Sequence, residues 1–316
     1  MAYKHLFGPV PSRRLGISLG VDLVPHKVCS LNCVYCEVGA TTNLTITRKE
    51  YVSSDEVIAE LKNFLHNKPN LDYITFSGAG EPTLNSQLGT IIDFIKESYP
   101  QYKLSLLTNG TLFYDKVVRK ESGKVDIVLP SLDAVRPESF LKINRPNPSL
   151  NIEKIIDGLI RFRKENPTTT MWLELFIVQG INDSELEIEQ IKQVLTQISP
   201  DRIQLNTLDR PGTASWVKAA STQQLLEIKQ KLDPLPTEII AKFKSARKYR
   251  SYNQDIEKTI LETISRRPCT DKDLCEILGL HINELNKYLQ QLQKENKIKS
   301  ERLERGVFFR TIKNNI

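Results

Sequence analysis

Three cysteines spaced as C-x3-C-x2-C are the residues of this chain best suited to chemistry. They are Cys29, Cys33 and Cys36, and they fall within eight residues of one another. Three thiolates this close can hold one compact metal centre. An iron–sulfur cluster of four irons that only transfers electrons needs four protein ligands. Three ligands leave one iron open, and an open coordination site indicates catalysis.

A zinc knot and a redox-active cysteine pair are the two alternatives to a cluster. Zinc sites usually use two separated ligand pairs and a closed fourth position. The other cysteines, Cys269 and Cys275, lie more than two hundred residues further along, and the histidine near the triad is His26. The spacing therefore favours a cluster.

A second motif follows a short apolar run. Residues 73–77 are typical of a buried parallel strand, and the turn Gly78-Ala79-Gly80-Glu81-Pro82 comes directly after them. Glycines in this position let a ligand approach the backbone. With both motifs in this order, the chain resembles the radical SAM superfamily, in which the cysteine triad follows the first barrel strand and a GGEP-type turn follows the second. Ala79 is a departure, because it stands where the second of the paired glycines belongs.

The resemblance implies a set of cofactors and a reaction. Cys29, Cys33 and Cys36 would hold three irons of a [4Fe–4S] cluster, and S-adenosylmethionine (SAM) would chelate the fourth. An electron, supplied by a donor such as flavodoxin or ferredoxin, would cleave SAM to methionine and a 5′-deoxyadenosyl radical. That radical would abstract hydrogen from a substrate. Cofactors of this kind carry the difficult step, and the protein positions and shields them.

The resemblance also implies contacts to SAM. Tyr35 matches the aromatic residue that packs on adenine, although simple packing beside the cluster is an alternative. Backbone carbonyls of Gly78, Ala79, Gly80 and Glu81 would receive the methionine amino group. By position, the candidates for the ribose hydroxyls and the methionine carboxylate are Asn109, Ser131 and Asp133. Side chains with less specific roles near adenine, the substrate or the barrel rim are Gln179, Asn206, Arg145 and Glu174, the last of which is a strand carboxylate that needs a partner if it is buried.

The hydrophobic pattern predicts an α/β fold. Six candidate strands alternate with amphipathic helical segments such as 54–64 and 152–163, and strand–helix alternation indicates a parallel sheet. The strands cover residues 17–23, 73–77, 103–108, 126–130, 171–178 and 202–207. Six units fit a partial (β/α)6 barrel, the usual architecture of the resembled family. Polar or glycine-rich residues follow every strand, where an α/β barrel builds its active site.

The C-terminal quarter has a different pattern. We predict a radical SAM barrel over residues 1–233, a basic linker over 234–253 and a winged helix-turn-helix over 254–316. Its three helices are expected over 256–265, 270–278 and 283–296, and two short strands within 297–310. We also expect the barrel to supply every contact to the cluster and to SAM, so that deleting residues 254–316 would spare SAM cleavage.

Charge is unevenly distributed along the chain. Residues 242–316 contain 17 Lys and Arg against 10 Asp and Glu, a net of +7, whereas the preceding residues contain 27 and 28, a net of −1. The asymmetry suggests a polyanionic partner. We expect the module to contact either nucleic acid or protein. The cations for a nucleic acid would be the wing arginines Arg302, Arg305 and Arg310 with residues 242–250, and the third helix would offer His281, Asn283, Asn286, Lys287, Gln290 and Gln291.

The N-terminal stretch over residues 7–22 is distinctive because two prolines and two arginines precede the first strand. It resembles a little-characterised radical SAM branch, distantly related to the tRNA wyosine synthases and to nitrogenase-cofactor biosynthesis proteins. Arg13 and Arg14 would bind an anionic substrate group or pack the N-terminus.

Composition bounds the remaining possibilities. The 316 residues are 40% hydrophobic and 26% charged, as in globular proteins. No apolar run reaches the roughly eighteen residues of a membrane span, and the N-terminus lacks the apolar segment of a signal peptide. Five cysteines with three clustered do not suit disulfides, so we expect a cytoplasmic protein. A redox-sensing, DNA-binding iron–sulfur regulator is the alternative to an enzyme, and the glycine-rich turn favours the enzyme.

Overall fold

The computed structural model describes residues 3–12, 14–240, 256–280 and 282–312. Up to residue 240 the strands are β1 (Leu6–Ser12), β2 (Gly16–Val21), β3 (Val28–Cys29), β4 (Asn43–Leu44), β5 (Tyr73–Phe76), β6 (Lys103–Thr108), β7 (Ile127–Pro130), β8 (Thr170–Ile177), β9 (Arg202–Thr207) and β10 (Thr237–Ile239). Eight of them form one sheet in the order β1-β2-β5-β6-β7-β8-β9-β10, and β3 pairs with β4 separately.

Helices follow the strands and cover the sheet. They are α1 (Ser54–Leu65), α2 (Leu88–Ser98), α3 (Lys116–Ser122), α4 (Pro137–Asn144), α5 (Ile152–Glu165), α6 (Glu185–Ile198) and α7 (Thr222–Leu232), with a 3-10 turn over Pro82–Leu84. Their starts are set by side-chain caps, because Ser53, Asn151, Ser184 and Ser221 each accept a backbone N–H of the first turn. α1 buries Val57, Leu61, Phe64 and Leu65 against the core, as its apolar spacing predicts.

The six predicted strands are β2 and β5 to β9, and all neighbours among them pair in parallel. Two further strands extend this sheet beyond the prediction. β1 pairs antiparallel with β2, and β10 pairs in parallel with β9. β10 lies in the segment that the sequence assigns to the linker, so the sheet reaches further along the chain than predicted. Residues 241–253 of that linker lie outside the described residues.

The C-terminal module, residues 256–280 and 282–312, has its own core. It contains α8 (Ile256–Arg266), β11 (Cys269–Thr270), α9 (Asp271–Leu278), α10 (Ile282–Lys294), β12 (Ile298–Leu303) and β13 (Gly306–Thr311), and its strands pair in the order β11-β13-β12. Thr270 and Asp273 form a reciprocal capping box at the start of α9. The predicted helices and hairpin are present, whereas β11 was not predicted. The apolar side chains of this core include Ile260, Leu274, Leu285, Leu289 and Phe309.

The module packs on the sheet through β1 and the loop after β9. Val10 of β1 contacts the module core. Arg210 Nη1 donates to the carbonyl oxygen of Pro268 at 3.3 Å. Arg305 Nη1 lies 3.3 Å from Asp209 Oδ2, and its Nη2 lies 2.7 Å from Asp273 Oδ2. The module is therefore attached at several points that are far apart along the chain.

The wing arginines differ from one another in ways that the sequence did not predict. Arg305 is held by Asp209 and Asp273 at the interface with the sheet, and Arg310 pairs with Glu301. Arg302 is exposed. The prediction that all three face a nucleic acid is wrong for Arg305, whose cation is already neutralised. Residues 242–250 and His281 lie outside the described residues, as does the side chain of Asn283. Among the described residues, no helix combines the length and apolar character needed to cross a membrane.

Candidate active site

The cysteine loop, residues 26–45, lies at the carboxyl ends of the strands and is held there by backbone hydrogen bonds. Asn32 and Val34 donate backbone N–H groups to the carbonyl oxygens of Asn144 and Ile143, each at 2.9 Å. From the other side, the loop after β9 donates Ala214 N–H to the Val34 carbonyl oxygen at 2.9 Å. The chain positions of Cys29, Cys33 and Cys36 are therefore fixed from the α4 side and the β9 side together.

Each of the three thiols has a nitrogen donor from a different side chain. Asn109 Nδ2 lies 3.5 Å from Cys29 Sγ, and Asn144 Nδ2 lies 3.4 Å from Cys33 Sγ. Lys27 Nζ lies 3.1 Å from Cys36 Sγ. Hydrogen bonds to sulfur stabilise the thiolate form and are one means by which proteins set the potential of iron–sulfur clusters.

The three cysteines are partly buried, and their thiols are close enough to influence one another electrostatically. Burial, with Glu81 as the next cause, raises the pKa of Cys29 to about 12. Burial and the neighbouring Asp133 raise the pKa of Cys33, and the charges of Cys29 and Cys36 raise it further. Without a positive centre nearby, the thiols of Cys29 and Cys33 stay protonated near neutral pH. A cationic metal centre would offset the repulsion, as it does wherever thiolates coordinate metal.

Among the described residues, no group of three or more His, Cys, Asp or Glu side chains is arranged to hold a single metal ion. The ligands of one zinc ion all meet at that ion, whereas the cysteines of a [4Fe–4S] cluster bind separate irons and stand further apart. Three thiols that influence one another electrostatically, each with an N–H donor, fit the cluster.

The glycine-rich turn, residues 78–82, is held by protein groups on two sides. Gly78 has φ +132°, and a Cβ there would lie 1.2 Å from Asp22 Oδ1. A Cβ on Gly80 would lie 2.1 Å from the Val28 carbonyl oxygen. Both glycines are therefore required by the approach of the chain's own groups. Asp22 Oδ1 accepts the N–H of Ala79 at 3.0 Å, and the Ala79 carbonyl accepts Lys27 N–H at 2.8 Å.

The hydrogen bonds within the turn bear on which backbone carbonyls of residues 78–81 can accept the methionine amino group, as the resemblance implies. The Ala79 carbonyl already accepts a hydrogen bond from Lys27. One acceptor position of that carbonyl therefore remains for the role implied by resemblance, beside the carbonyl oxygens of Gly78 and Gly80.

Glu81 anchors this turn to the end of β6. Its Oε1 accepts from Thr83 N at 3.1 Å, Thr83 Oγ1 at 2.6 Å and Thr108 Oγ1 at 2.6 Å. Its Oε2 accepts Asn109 N at 2.7 Å. Burial raises the pKa of this carboxyl, and the hydrogen bonds oppose the rise. The side chain is thus fully used within the protein, and it places Asn109 beside Cys29.

Tyr35 and Asp133 form one buried network. The Tyr35 ring stacks on Phe176 with a centroid distance of 3.9 Å, and its hydroxyl donates to Asp133 Oδ2 at 2.5 Å. Asp133 also accepts Asn144 Nδ2 at 2.7 Å and Phe176 N at 3.0 Å. Burial raises the pKa of Asp133 to about 6. Every partner that the structure gives this carboxylate is internal, so it holds Tyr35 and Asn144 in place.

Four of the predicted SAM contacts do meet in space. Tyr35, Asn109, Ser131 and Asp133 line a small cavity of about 20 Å³. Ser131 is fixed there because its N–H donates to the Thr108 carbonyl oxygen at 3.0 Å. The strand ends therefore converge as the sequence predicted.

A much larger cavity, of about 360 Å³, opens beside the turn. On the sheet side, its lining includes Ser77 and Gly78 together with Ser18, Thr75 and Arg14. Ser18, Thr75 and Ser105 form a chain of hydroxyls across three strands, at 2.5 and 2.7 Å. Arg14 forms an ion pair with Glu174, and its Nη1 lies 3.5 Å from Gln204 Oε1. Arg14 and Glu174 are thus each other's partners, which accounts for the strand carboxylate.

The remaining residues that the sequence singled out differ in how far they are exposed to solvent. Gln179 and Arg145 are exposed, and Asn206 is buried, with its Oδ1 accepting the N–H of Thr207 at 3.0 Å. Arg13 lies outside the described residues. Sequence reasoning missed Lys27, Asn144 and Asp22. Asn144 directly precedes the Arg145 that drew attention, and Lys27 lies two residues before Cys29, so a local signal existed for both.

Comparison with known proteins agrees with this site. Residues 23–189 match the family model of the Radical SAM superfamily, and residues 256–310 match the model of FaeA-like protein. The first match contains all three cysteines and the glycine-rich turn.

Relatives cover nearly the whole chain. A UPF0026 protein of Methanocaldococcus jannaschii is 32% identical over 281 residues, which cover 86% of this chain and 85% of that protein. A UPF0026 protein of Helicobacter pylori (strain 26695) is 34% identical over 276 residues, covering 86% and 87%. A Brachyspira hyodysenteriae protein named GTPase Obg is 36% identical over 303 residues, which cover 94% of this chain and 44% of that protein. This chain thus spans less than half of the Brachyspira protein.

Solved structures share the fold. A radical SAM methyltransferase from Sphaerobacter thermophilus superposes with a TM-score of 0.57 at 19% identity, over 70% of this chain and 65% of that one. SuiB of Streptococcus suis, bound to S-adenosylmethionine, superposes with a TM-score of 0.52 at 13% identity, over 70% and 50%. At these identities the likeness concerns the fold alone.

Proposed function

Because the chain belongs to the radical SAM superfamily, we propose that it cleaves SAM reductively and uses the product to take hydrogen from a substrate. The protein is an enzyme of this superfamily, whose cofactors are a [4Fe–4S] cluster and SAM. The cluster, when bound, supplies the electron that cleaves SAM to methionine and a 5′-deoxyadenosyl radical. The reaction that follows, and its substrate, are the open part of the proposal.

One observation carries the proposal. The side chains of Cys29, Cys33 and Cys36 are each partly buried, and each sulfur has a nitrogen donor from a separate side chain. A zinc knot would need a fourth protein ligand, and a cysteine pair would need only two thiols. Three thiols that each have a nitrogen donor, beside a glycine-rich turn, support a cluster with one open iron.

The residues around the thiols have distinct tasks in this proposal. Lys27, Asn109 and Asn144 stabilise the thiolates, and Glu81 fixes the turn that faces the methionine end of SAM. Asp133 orients Tyr35 and Asn144 through its two carboxylate oxygens. The cavity beside Gly78 is lined by the hydroxyls of Ser18 and Thr75 and by apolar side chains such as Phe7 and Val10, so it can bind a substrate with both polar and apolar parts.

The C-terminal module is, in our proposal, a winged helix that presents the substrate. The match to FaeA-like protein and the order of its helices and strands support this assignment. Lys287, Gln290 and Gln291 of α10 are exposed, as a contact helix requires. RNA and protein are the two substrate classes we propose for it, and the distant relation to tRNA wyosine synthases stays a prediction. Flavodoxin or ferredoxin is the proposed electron donor.

The competing hypothesis of a DNA-binding redox sensor is not supported. A sensor does not need the glycine-rich turn. The family match covers both the cysteines and that turn, which favours the enzyme.

Anaerobic reconstitution tests the proposal. The wild-type chain should bind about four irons and four sulfides, the content of one [4Fe–4S] cluster. Replacing Cys29, Cys33 and Cys36 by Ala should abolish the cluster, whereas replacing Cys269 and Cys275 should retain it. Saturating SAM should change the electron paramagnetic resonance (EPR) spectrum of the reduced cluster, and chromatography should detect 5′-deoxyadenosine. An unchanged spectrum with no product would contradict the enzyme proposal.

A further inference from the structure

We propose that the C-terminal module completes the SAM site, because Arg266 of α8 positions Asp22, and Asp22 positions the turn at Gly78 and Ala79. This inference rests on the proposed function, which assigns the methionine end of SAM to that turn. It differs from the expectation that the barrel alone supplies every contact to SAM.

The module forms one wall of the large cavity. Side chains of the cavity come from the sheet and from the module together, and α8 supplies Thr263 and Arg266, followed by Arg267. Facing them are Ser77 and Gly78, at the end of β5. A ligand that reaches the glycine-rich turn through this cavity therefore passes α8.

Asp22 connects the module to the turn. Arg266 Nη1 forms an ion pair with Asp22 Oδ2, while the other carboxylate oxygen accepts the N–H of Ala79 at 3.0 Å. A Cβ on Gly78 would collide with that same oxygen at 1.2 Å. The carboxylate thus lies against the turn at the one residue whose lack of a side chain admits it. Any shift of Asp22 changes where the turn presents its backbone.

Arg266 is itself held firmly. Its guanidinium lies over the Phe7 ring at 4.2 Å, and that ring fills the space above Gly20, where a Cβ would lie 1.9 Å from it. The Arg266 side chain is 23% exposed and that of Asp22 is 12% exposed. An ion pair so shielded from water is stronger and less sensitive to salt than a surface pair.

A second set of contacts between the module and the loop after β9 holds α8 in a fixed position relative to the turn. Arg210 donates to the carbonyl oxygen of Pro268, two residues after Arg266. Arg305 joins Asp209 to Asp273. Because these bonds surround the end of α8, Arg266 can transmit the position of the module to Asp22. Binding of a partner to the module could then alter SAM affinity through the same ion pair.

SAM affinity of full-length, cluster-containing protein is the decisive measurement. Isothermal titration calorimetry with SAM should show that R266Q binds roughly tenfold more weakly than wild type, as expected for losing one charge-assisted contact. Iron content and the EPR spectrum before SAM addition should not change. R266K should recover part of the affinity, because it keeps the charge. R302Q, on the exposed face of β12, is the matched control and should bind SAM as wild type does.

A double-mutant cycle distinguishes positioning from a general structural effect. D22N keeps an oxygen for Ala79 but removes the charge that pairs with Arg266, so it should weaken SAM binding as much as R266Q. The double variant D22N/R266Q should be no weaker than either single variant, since both act through one contact. Additive losses would overturn the inference, because they would show that Arg266 acts independently of Asp22.

The outcomes separate this inference from the proposed function. If wild type holds a cluster and binds SAM, and R266Q binds it with unchanged affinity, the positioning role is wrong while the enzyme stands. If wild type binds no SAM, the proposed function fails first. If R266Q loses its cluster, the comparison is made with R266K and D22N, and wild-type affinity in both would overturn the inference.

Discussion

Asn144 donates its side-chain amide to Cys33 Sγ at 3.4 Å and to Asp133 Oδ2 at 2.7 Å. One side chain therefore links Cys33, a cluster ligand in our proposal, to a buried carboxylate. The two residues that meet at the sulfur are 111 positions apart in the chain.

Replacing Asn144 by Ala should lower the reduction potential of the cluster, because a hydrogen bond to a cysteine sulfur favours the reduced, more negative state. A bond of about 1 kcal/mol corresponds to roughly 40 mV. Redox titration followed by EPR measures the shift, and N147A is the control, since Asn147 donates to a backbone carbonyl on the surface.

Lys27 should have a larger effect than Asn144. Its ammonium lies 3.1 Å from Cys36 Sγ, and the residue is only 3% exposed. Replacing it by Met keeps the length but removes a buried positive charge, so the potential should fall further than in N144A. The exposed Lys49, replaced in the same way, should leave the potential unchanged. A potential for K27M equal to that of wild type would contradict the role of Lys27.

Glu81 should matter for stability as well as for the site. Replacing it by Ala leaves the hydroxyl of Thr108 and the N–H groups of Thr83 and Asn109 without their acceptor in a buried region. The free energy of unfolding should fall by roughly 3 kcal/mol, as for other broken buried networks. Urea denaturation of metal-free protein measures it. The exposed Glu97 of α2, replaced by Ala, is the control. A loss under about 0.5 kcal/mol, typical of a surface site, would contradict the network's importance.

Asp133 predicts a pH dependence. Burial raises its pKa to about 6 in the folded chain, whereas an unfolded Asp titrates near 4. Between those values the folded state binds the extra proton, so this residue's contribution to stability is full below about pH 4 and is lost as the pH rises through about 6. The free energy of unfolding of wild type should therefore fall by about 3 kcal/mol relative to D133N across that window. Denaturation of both proteins from pH 4 to 7, in the absence of metal, measures the difference. Parallel curves would show that the Asp133 pKa is not raised.

Arg305 should behave as an interface residue. R305A removes one of the two cations that Asp209 and Asp273 share, and Arg210 is the other; the two carboxylate side chains are only 10% and 18% exposed. Because Arg210 still offsets part of the carboxylate charge, the free energy of unfolding should fall by roughly 1 to 2 kcal/mol. Thermal denaturation measures this loss of stability, with the exposed R302A as the control.

Fluorescence anisotropy with labelled tRNA should show that R302A reduces the salt dependence of any binding. A folded, equally stable R305A with a flatter salt slope would restore the original interpretation of the wing.

Local patterns predicted the parts of the fold that depend on neighbouring residues. The strands and helices follow from apolar spacing, and α9 follows from the Thr270–Asp273 capping box. β1 and β10 were missed because they are the two edge strands of the sheet, and the proline-containing segments in which they lie give little strand signal. The cysteine triad was found because its members are close in sequence. Asp22 and Arg266 were missed because only tertiary contacts bring them to the site.

Val10 of β1 packs into the core of the C-terminal module. The first strand of the sheet thus depends on the last quarter of the chain for one of its faces. During synthesis the ribosome releases β1 long before α8, α9 and β13 exist, so this apolar face stays uncovered while the rest of the sheet assembles. An uncovered edge strand is prone to join other chains, and a growing polypeptide in this state is a natural substrate for chaperones. Efficient production of the protein in a foreign host should therefore depend on how fast its final sixty or so residues emerge.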